Sequence, residues 1–220
     1  MRNLFLAIVI LTILLPSNLF AQDFFESTTP KGFVGVEYGW SKVDNNTQQL
    51  ADLFVDELGG RASVTQDTSV GIGRVFAGYW FVDMLGAEVG YFQTSDIRYR
   101  LSGTTSSAVA YTSSGDLKYK GWDYSLLLRP APNVPVWKGL YFKAGGHNTK
   151  TDLNFSIALP GLTYSTNIND SGSGTLYGAG YDWALTNNVF GRVAVTHFNK
   201  LAGESEDSAT AYSVGVGLRF

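Results

Sequence analysis

Two histidines, His147 and His197, are the only imidazole groups in this chain of 220 residues. An imidazole base activates a serine, threonine or cysteine that lies within hydrogen-bond reach. On an extended strand, the residue two positions after His197 shares its face, and that residue is Asn199, whose amide is no nucleophile. The sequence contains no cysteine, which excludes thiolate metal sites and disulfides. We therefore predict a protein that is not an enzyme and that has no cofactor and no metal site.

Charged residues recur in short segments in which apolar and polar residues alternate. In each segment, large apolar residues share one face of a strand, and a charged side chain lies on the other face. The candidate interior residues are Glu37, Arg74, Glu88, Arg129, Lys143, Asp182 and Arg192. A soluble β-sandwich would bury its apolar face and hydrate the charged one. A barrel in lipid does the opposite, because its apolar residues meet the acyl chains and its charged residues fill the interior.

The alternating segments predict an all-β fold, a transmembrane antiparallel β-barrel of about eight strands. The composition, with 25 glycines and 14% aromatic residues, is typical of such a barrel. The predicted strands cover Gly32–Lys42, Ser69–Phe81, a segment from Leu85, a segment to Arg129, a segment from Leu140, Thr175–Leu185, Val189–Phe198 and Ala211–Phe220. Short periplasmic turns (VDM, PAPNVPVWKG and TNN) alternate with long extracellular loops. Tryptophans near strand ends are expected in the interfacial girdles: Trp40, Trp80, Trp122, Trp137 and Trp183.

The N-terminal segment has the pattern of a secretory signal peptide. Arg2 precedes an apolar run from Leu4 to Leu15, and Ala21 provides a small residue at the cleavage site. We predict a signal peptide over residues 1–21 and a mature barrel domain over residues 22–220, with an uncleaved anchor as the alternative. The apolar run is shorter than the roughly 20 residues of a membrane-spanning helix. A net charge of −3 argues against a nucleic-acid partner.

The strand sequences resemble a known family. YGWSK, FAGYWFVDMLGAEVGY, GYDWALTNNV and YSVGVGLRF are similar to strands of the eight-stranded barrel of outer-membrane protein A and its relatives. The resemblance implies a location in the outer membrane of a Gram-negative bacterium and a cluster of opposite interior charges that includes Glu88, Asp182 and Arg192. Ala194 stands where relatives place an acidic residue, so the ion-pair network is not expected to be identical. The chain ends with the barrel, so we expect no peptidoglycan-binding domain after it.

The C-terminal strand also resembles a known sequence signal. Its outward residues Tyr212, Leu218 and Phe220 are similar to the signal that the outer-membrane barrel assembly machinery reads. Barrel-borne lipid A deacylases are a second group to compare, because they carry a serine two positions after a strand histidine. Asn199 replaces that serine here, so the resemblance to the deacylases fails at the nucleophile.

Two loop segments have candidate roles. In NTQQLADLFVDELGG, the residues Leu50, Leu53, Phe54 and Leu58 recur at helical spacing. They predict a short amphipathic helix that is either a lid or partner-binding element, or a cover for the loop's own apolar residues. Four basic residues flank a Ser/Thr-rich tip, where the strands run past the membrane as a hairpin: Arg98, Arg100, Lys118 and Lys120. They either contact lipopolysaccharide head groups or keep the hairpin edge from pairing with another chain.

The interior charges leave two functions open. An eight-stranded barrel has an interior just wide enough for side chains, so paired charges there would form a plug. The alternative is a narrow ion-conducting pore. We predict a small monomeric barrel with a plugged interior and a structural or surface-interaction role, whose partners are outer-membrane lipids, lipopolysaccharide, the assembly machinery and an unidentified external partner. A lipid A-modifying enzyme is the second alternative.

Overall fold

The computed structural model describes residues 32–44, 55, 61–107, 109–159, 162–203 and 207–220. The predicted signal peptide lies outside these residues and stays a prediction. Of the predicted helix that includes Leu50 and Leu58, only Val55 is among them, and it is helical, so the rest of this helix stays a prediction. No helix in the described part of the chain is long and apolar enough to cross a membrane.

Ten strands make up the described chain. They are β1 (Gly32–Asp44), β2 (Arg61–Gln66), β3 (Ser69–Trp80), β4 (Leu85–Thr94), β5 (Ile97–Thr104), β6 (Ala110–Leu128), β7 (Leu140–Leu159), β8 (Leu162–Ala184), β9 (Val189–Asn199) and β10 (Ser208–Arg219). All strands except β2 and β5 form a closed antiparallel ring, in which β1 pairs with both β3 and β10. The predicted antiparallel barrel is therefore confirmed, and strands β1 and β8 are longer than predicted.

Both ends of the described barrel and its short connections lie at one end of the ring, which we call the turn end. The turns follow β3, β6 and β8, and the proline-rich turn after β6 is closed by a hydrogen bond from Trp137 N to the Val134 carbonyl oxygen at 2.9 Å. Gly32 N donates to the Phe220 carbonyl oxygen at 3.0 Å, and Phe220 N donates back to Gly32 O at 2.9 Å. The last residue is therefore part of the seam that closes the ring.

The opposite end, which we call the loop end, carries a wall of strands that continues past the ring. Strand β5 pairs with the part of β6 nearest the loop end, and β2 pairs with β5. Beside them, β7 and β8 pair along their whole length up to Leu159 and Leu162. The β2 segment, RASVTQ, lies in the long connection between the predicted strands Gly32–Lys42 and Ser69–Phe81, where no strand was predicted. The β2 strand is short and its residues are mostly polar. It borders water, so it does not need the outward apolar residues that a strand in contact with lipid needs.

The two faces of the ring have opposite chemistry. Outward residues such as Val36, Leu126 and Val214 are exposed, as expected for side chains that meet lipid. On the outer surface, Trp40 stacks on Tyr212, with ring centroids 5.8 Å apart. Leu218 and Phe220 also point outward.

The girdle prediction is wrong for Trp80. Its side chain points into the barrel and is only 8% exposed. Successive strand residues alternate between the two faces, and the neighbours Tyr79 and Phe81 occupy the outward positions, so Trp80 must face inward. The residue is part of the interior packing at the turn end.

Candidate functional site

The barrel interior consists of three layers, and the middle one is charged. The layer nearest the turn end is apolar and mainly aromatic: Phe33, Phe76, Trp80, Leu127, Tyr141 and Phe190. The layer toward the loop end is a second apolar cluster: Val43, Val70, Ile72, Phe92, Ile97, Tyr99, Leu117, Tyr119, Leu176, Phe198, Leu201, Ala209 and Ala211. The charged residues between them are shielded from water on both sides.

Arg74, on β3, is held by carboxylates of three other strands. Its Nε and Nη2 donate to the two carboxylate oxygens of Asp123, at 2.8 and 2.6 Å. Nη2 also donates to Glu88 Oε1 at 2.8 Å, and Nη1 lies 3.5 Å from Glu37 Oε1. A forked pair of this kind fixes the guanidinium in orientation as well as in distance.

Arg192, on β9, makes the matching set of contacts on the other side of the layer. Its Nε and Nη2 donate to the two oxygens of Asp182, at 2.7 and 3.1 Å. Nη1 donates to Glu88 Oε2 at 2.5 Å and lies 3.5 Å from Glu37 Oε1. The side chain is completely buried. Glu88 therefore bridges the two arginines, one through each carboxylate oxygen.

The aromatic layer contributes a second set of contacts to Arg192. The centre of its guanidinium lies 4.3 Å from the Phe76 ring centroid and 4.7 Å from that of Tyr141. The negative ring faces attract the cation, and this attraction adds to that of the three carboxylates that contact Arg192.

The structure brings together five of the seven predicted interior residues in this network. Glu37, Arg74, Glu88, Asp182 and Arg192 form the ion pairs described above. Lys143 is buried in the same layer, but it makes no ion pair within 4.0 Å in the described part of the chain.

Two residues differ from the predicted cluster. Arg129 lies at the turn end and is only partly buried, with its guanidinium 3.9 Å from the Trp80 ring, and it makes no ion pair with the described residues. Asp123 is a full member of the network, although the predicted cluster did not include it. The signal was present in the sequence, because Trp122 and Tyr124 point outward and leave Asp123 on the inward face of its strand.

Each histidine has a hydroxyl group on one ring nitrogen, but the other ring nitrogen contacts an amide or backbone carbonyl oxygen and not a carboxylate. His147 is buried, with Nδ1 2.7 Å from Thr149 Oγ1 and Nε2 2.9 Å from the carbonyl oxygen of Asn199. His197 lies on the outer face, with Nδ1 2.9 Å from Thr210 Oγ1 and Nε2 3.0 Å from Asn199 Oδ1. A hydroxyl group is therefore in reach of His197, but an amide occupies the place where a carboxylate would orient the ring.

The four predicted basic residues lie on the outer surface of the loop-end wall. Lys118 Nζ is 3.4 Å from Asp96 Oδ1, and Lys120 Nζ is 2.5 Å from Asp152 Oδ2. The hydrogen bond with Asp152 raises the pKa of the Lys120 amine. Arg98 and Arg100 are exposed and make no ion pair with the described residues. The lysines are thus partly neutralised within the protein, whereas the arginines are not.

A buried tyrosine anchors the last long loop to this wall. Tyr119 donates its hydroxyl hydrogen to Asp207 Oδ2 at 3.2 Å. Burial, together with the charge of Asp207, raises the pKa of the Tyr119 phenol well above its ordinary value. The phenol therefore stays protonated and keeps donating this hydrogen bond at any physiological pH.

Comparison with known proteins agrees with this architecture. Among solved structures, OprG from Pseudomonas aeruginosa is 15% identical, with 87% of this chain and 97% of that chain covered and a TM-score of 0.51. Ail from Yersinia pestis is 16% identical, with 88% and 100% covered and a TM-score of 0.49. A comparison with curated proteins gives no match. The family match, to the outer membrane protein beta-barrel domain, extends over residues 7–220. The chain therefore belongs to the outer membrane protein beta-barrel domain family, and its place is the bacterial outer membrane.

Proposed function

We propose that this protein is a sealed barrel, which anchors a loop-end wall in the outer membrane for contact with lipopolysaccharide or an external partner. The observation that carries the proposal is the charged layer between two apolar layers. Both arginine forks are filled by carboxylates, and Glu88 joins them across the lumen. An eight-stranded barrel has little bore beyond its side chains, so these residues occupy the space that a pore would need.

Ion passage through this layer would have to disrupt its pairs. A buried charge that loses its partner is strongly destabilised, because neither lipid nor the apolar layers can solvate it. An ion on the barrel axis would also have to cross the turn-end layer, where the apolar rings of Phe33, Phe76 and Phe190 pack against one another. Disruption of the ion pairs and passage through the aromatic layer would both cost free energy, so both favour a closed interior.

The loop-end wall supports the surface-interaction part of the proposal. Arg98 and Arg100 point away from the barrel and have no carboxylate within ion-pair distance in the described chain. Exposed cations above the outer leaflet attract anionic lipid head groups. These side chains, unlike the interior ones, are free to bind something outside the protein.

Planar bilayer recordings of refolded protein without the predicted signal peptide test the sealed interior. We expect no steady channel openings from folded protein, with folding verified by the gel shift on heating. The Glu88→Ala variant, which lacks the bridging carboxylate, and the Asp170→Ala variant, which changes an exposed carboxylate of β8, are the matched pair. Steady wild-type openings whose conductance changes in Glu88→Ala but not in Asp170→Ala would show an ion path through the charged layer and would refute the plug.

A further inference from the structure

A groove interrupts the aromatic girdle on the outer surface of β6, β7 and β8. One cross-strand row runs from Tyr91 through Trp122 and Asn148 to Ser173. Its first two members are aromatic, with ring centroids 5.2 Å apart, whereas the next two are small and polar. The change in side-chain size leaves a groove of about 480 Å³ beside Trp122.

The next row toward the loop end places two lysines side by side at the groove. Lys120 is the direct cross-strand neighbour of Lys150. Like charges directly opposite each other on neighbouring strands destabilise a sheet. An anion that lies between or beside the two amines would offset their repulsion. Asp152 neutralises Lys120, but Lys150 is exposed and makes no ion pair with the described residues. The groove therefore keeps one uncompensated positive charge at its upper rim.

The groove lies at the level where the outer surface changes from apolar to charged. Toward the turn end, the outward residues of β6 are Tyr124, Leu126 and Leu128, all exposed and suited to acyl chains. Toward the loop end, the next outward residue after Trp122 is Lys120. Tryptophan and tyrosine mark the membrane–water interface, which is the depth of the lipid phosphates. The outer leaflet therefore brings phosphates to the height of the two lysines.

We propose that this groove binds the phosphorylated head group of lipid A, the membrane-embedded part of lipopolysaccharide. The phosphate lies between Lys150 and Lys120, and the sugar hydroxyls reach Asn148 and Ser173. Ser173 Oγ donates to Asn148 Oδ1 at 2.6 Å, so the Asn148 side chain has its amide nitrogen left to donate to a sugar hydroxyl. The acyl chains follow the apolar surface below Trp122. This site rests on the proposed function and deepens it, because it adds Trp122, Asn148, Lys150 and Ser173 to Lys120 as residues that contact lipopolysaccharide.

Lipid A titration of the purified protein in detergent micelles, followed by native mass spectrometry, tests the site. We expect Lys150→Gln to bind bisphosphorylated lipid A about fivefold more weakly than wild type. This is the effect expected from the removal of one basic residue near an anionic head group. Trp122→Ala should also bind more weakly, because it removes the groove wall. Lys138→Gln, which changes an exposed lysine at the turn end, is the matched control and should bind like wild type.

Two further binding measurements identify which chemical group the groove recognises. Dephosphorylated lipid A should bind the wild type and Lys150→Gln equally, and millimolar inorganic phosphate should not displace lipid A from the wild type. Displacement by free phosphate would overturn the lipid assignment in favour of a small-anion site. Equal lipid A binding by wild type, Lys150→Gln and Trp122→Ala would refute the groove while leaving lipopolysaccharide contact elsewhere on the wall. Complete absence of lipid A binding by the wild type would refute the lipopolysaccharide part of the proposed function as well, and the bilayer recordings would still decide the sealed interior separately.

Discussion

Replacement of Arg192 by alanine is expected to lower the free energy of unfolding by about 3–5 kcal/mol, the cost of removing one partner from a buried ion pair. The variant leaves Asp182 and one oxygen of Glu88 without their cation in a completely buried site. It also removes the cation that packs on the rings of Phe76 and Tyr141. Urea-induced unfolding in lipid vesicles, followed by tryptophan fluorescence, measures the change.

Two comparison variants separate charge imbalance from other effects of the arginine. Arg100→Ala removes an exposed arginine of the loop-end wall, and its free energy of unfolding should stay within about 0.5 kcal/mol of wild type. The double variant Arg192→Met with Asp182→Asn removes the pair together, so it should be more stable than Arg192→Ala alone. If Arg192→Ala were as stable as Arg100→Ala, the charged layer would not hold the barrel together.

Replacement of Gly39 by alanine is expected to cost about 1–3 kcal/mol, which is typical of an added carbon in a packed site. Gly39 lies on β1 opposite Ser213 of β10, at the seam that closes the ring. A Cβ atom at this position would collide with the Tyr212 carbonyl oxygen and would lie 2.8 Å from the Cα atom of Ser213. Both are backbone atoms, so the two strands would have to separate, and lipid offers no substitute for the hydrogen bonds that they share.

Gly73 provides the matched glycine. It lies on β3, and a Cβ atom there would meet no atom within 4 Å. Gly73→Ala should therefore be as stable as wild type or slightly more so, because alanine restricts the unfolded chain. Thermal gel-shift midpoints of the two variants in the same detergent provide the measurement. Equal midpoints for Gly39→Ala and Gly73→Ala would show that the seam has room for a side chain and that close backbone approach does not determine the choice of glycine.

The ring strands could be predicted from sequence because each contains its own signal. In β10, Val214, Val216 and Leu218 alternate with small residues, and no distant contact is needed to recognise that pattern. The wall strand β2 escaped prediction for the same reason, since it borders water and its alternation is mostly polar. Residues that face the lipid are thus easier to find than residues that face water.

The charged layer was predictable in its membership but not in its pairing. Alternation places Arg74 and Asp123 inside, yet their contact joins residues on β3 and β6, with β4 between them. Such a pair depends on the offset between strands that are distant in sequence, which a local pattern does not contain. The groove was missed for the same reason, because Lys120 and Lys150 become neighbours only through the alignment of β6 with β7.

The two arginine forks also have a consequence for the dimensions of the barrel. A strand that slides by two residues keeps its inward and outward faces, so alternation alone does not prevent the slip. The same slide would move Arg74 by about 6–7 Å along its strand and pull it away from Asp123. The forks on β3 and β9 therefore select one stagger among those that the lipid-facing pattern allows. Because stagger and strand number together determine the tilt and diameter of a closed sheet, the ion pairs also set the width of the cylinder that they fill.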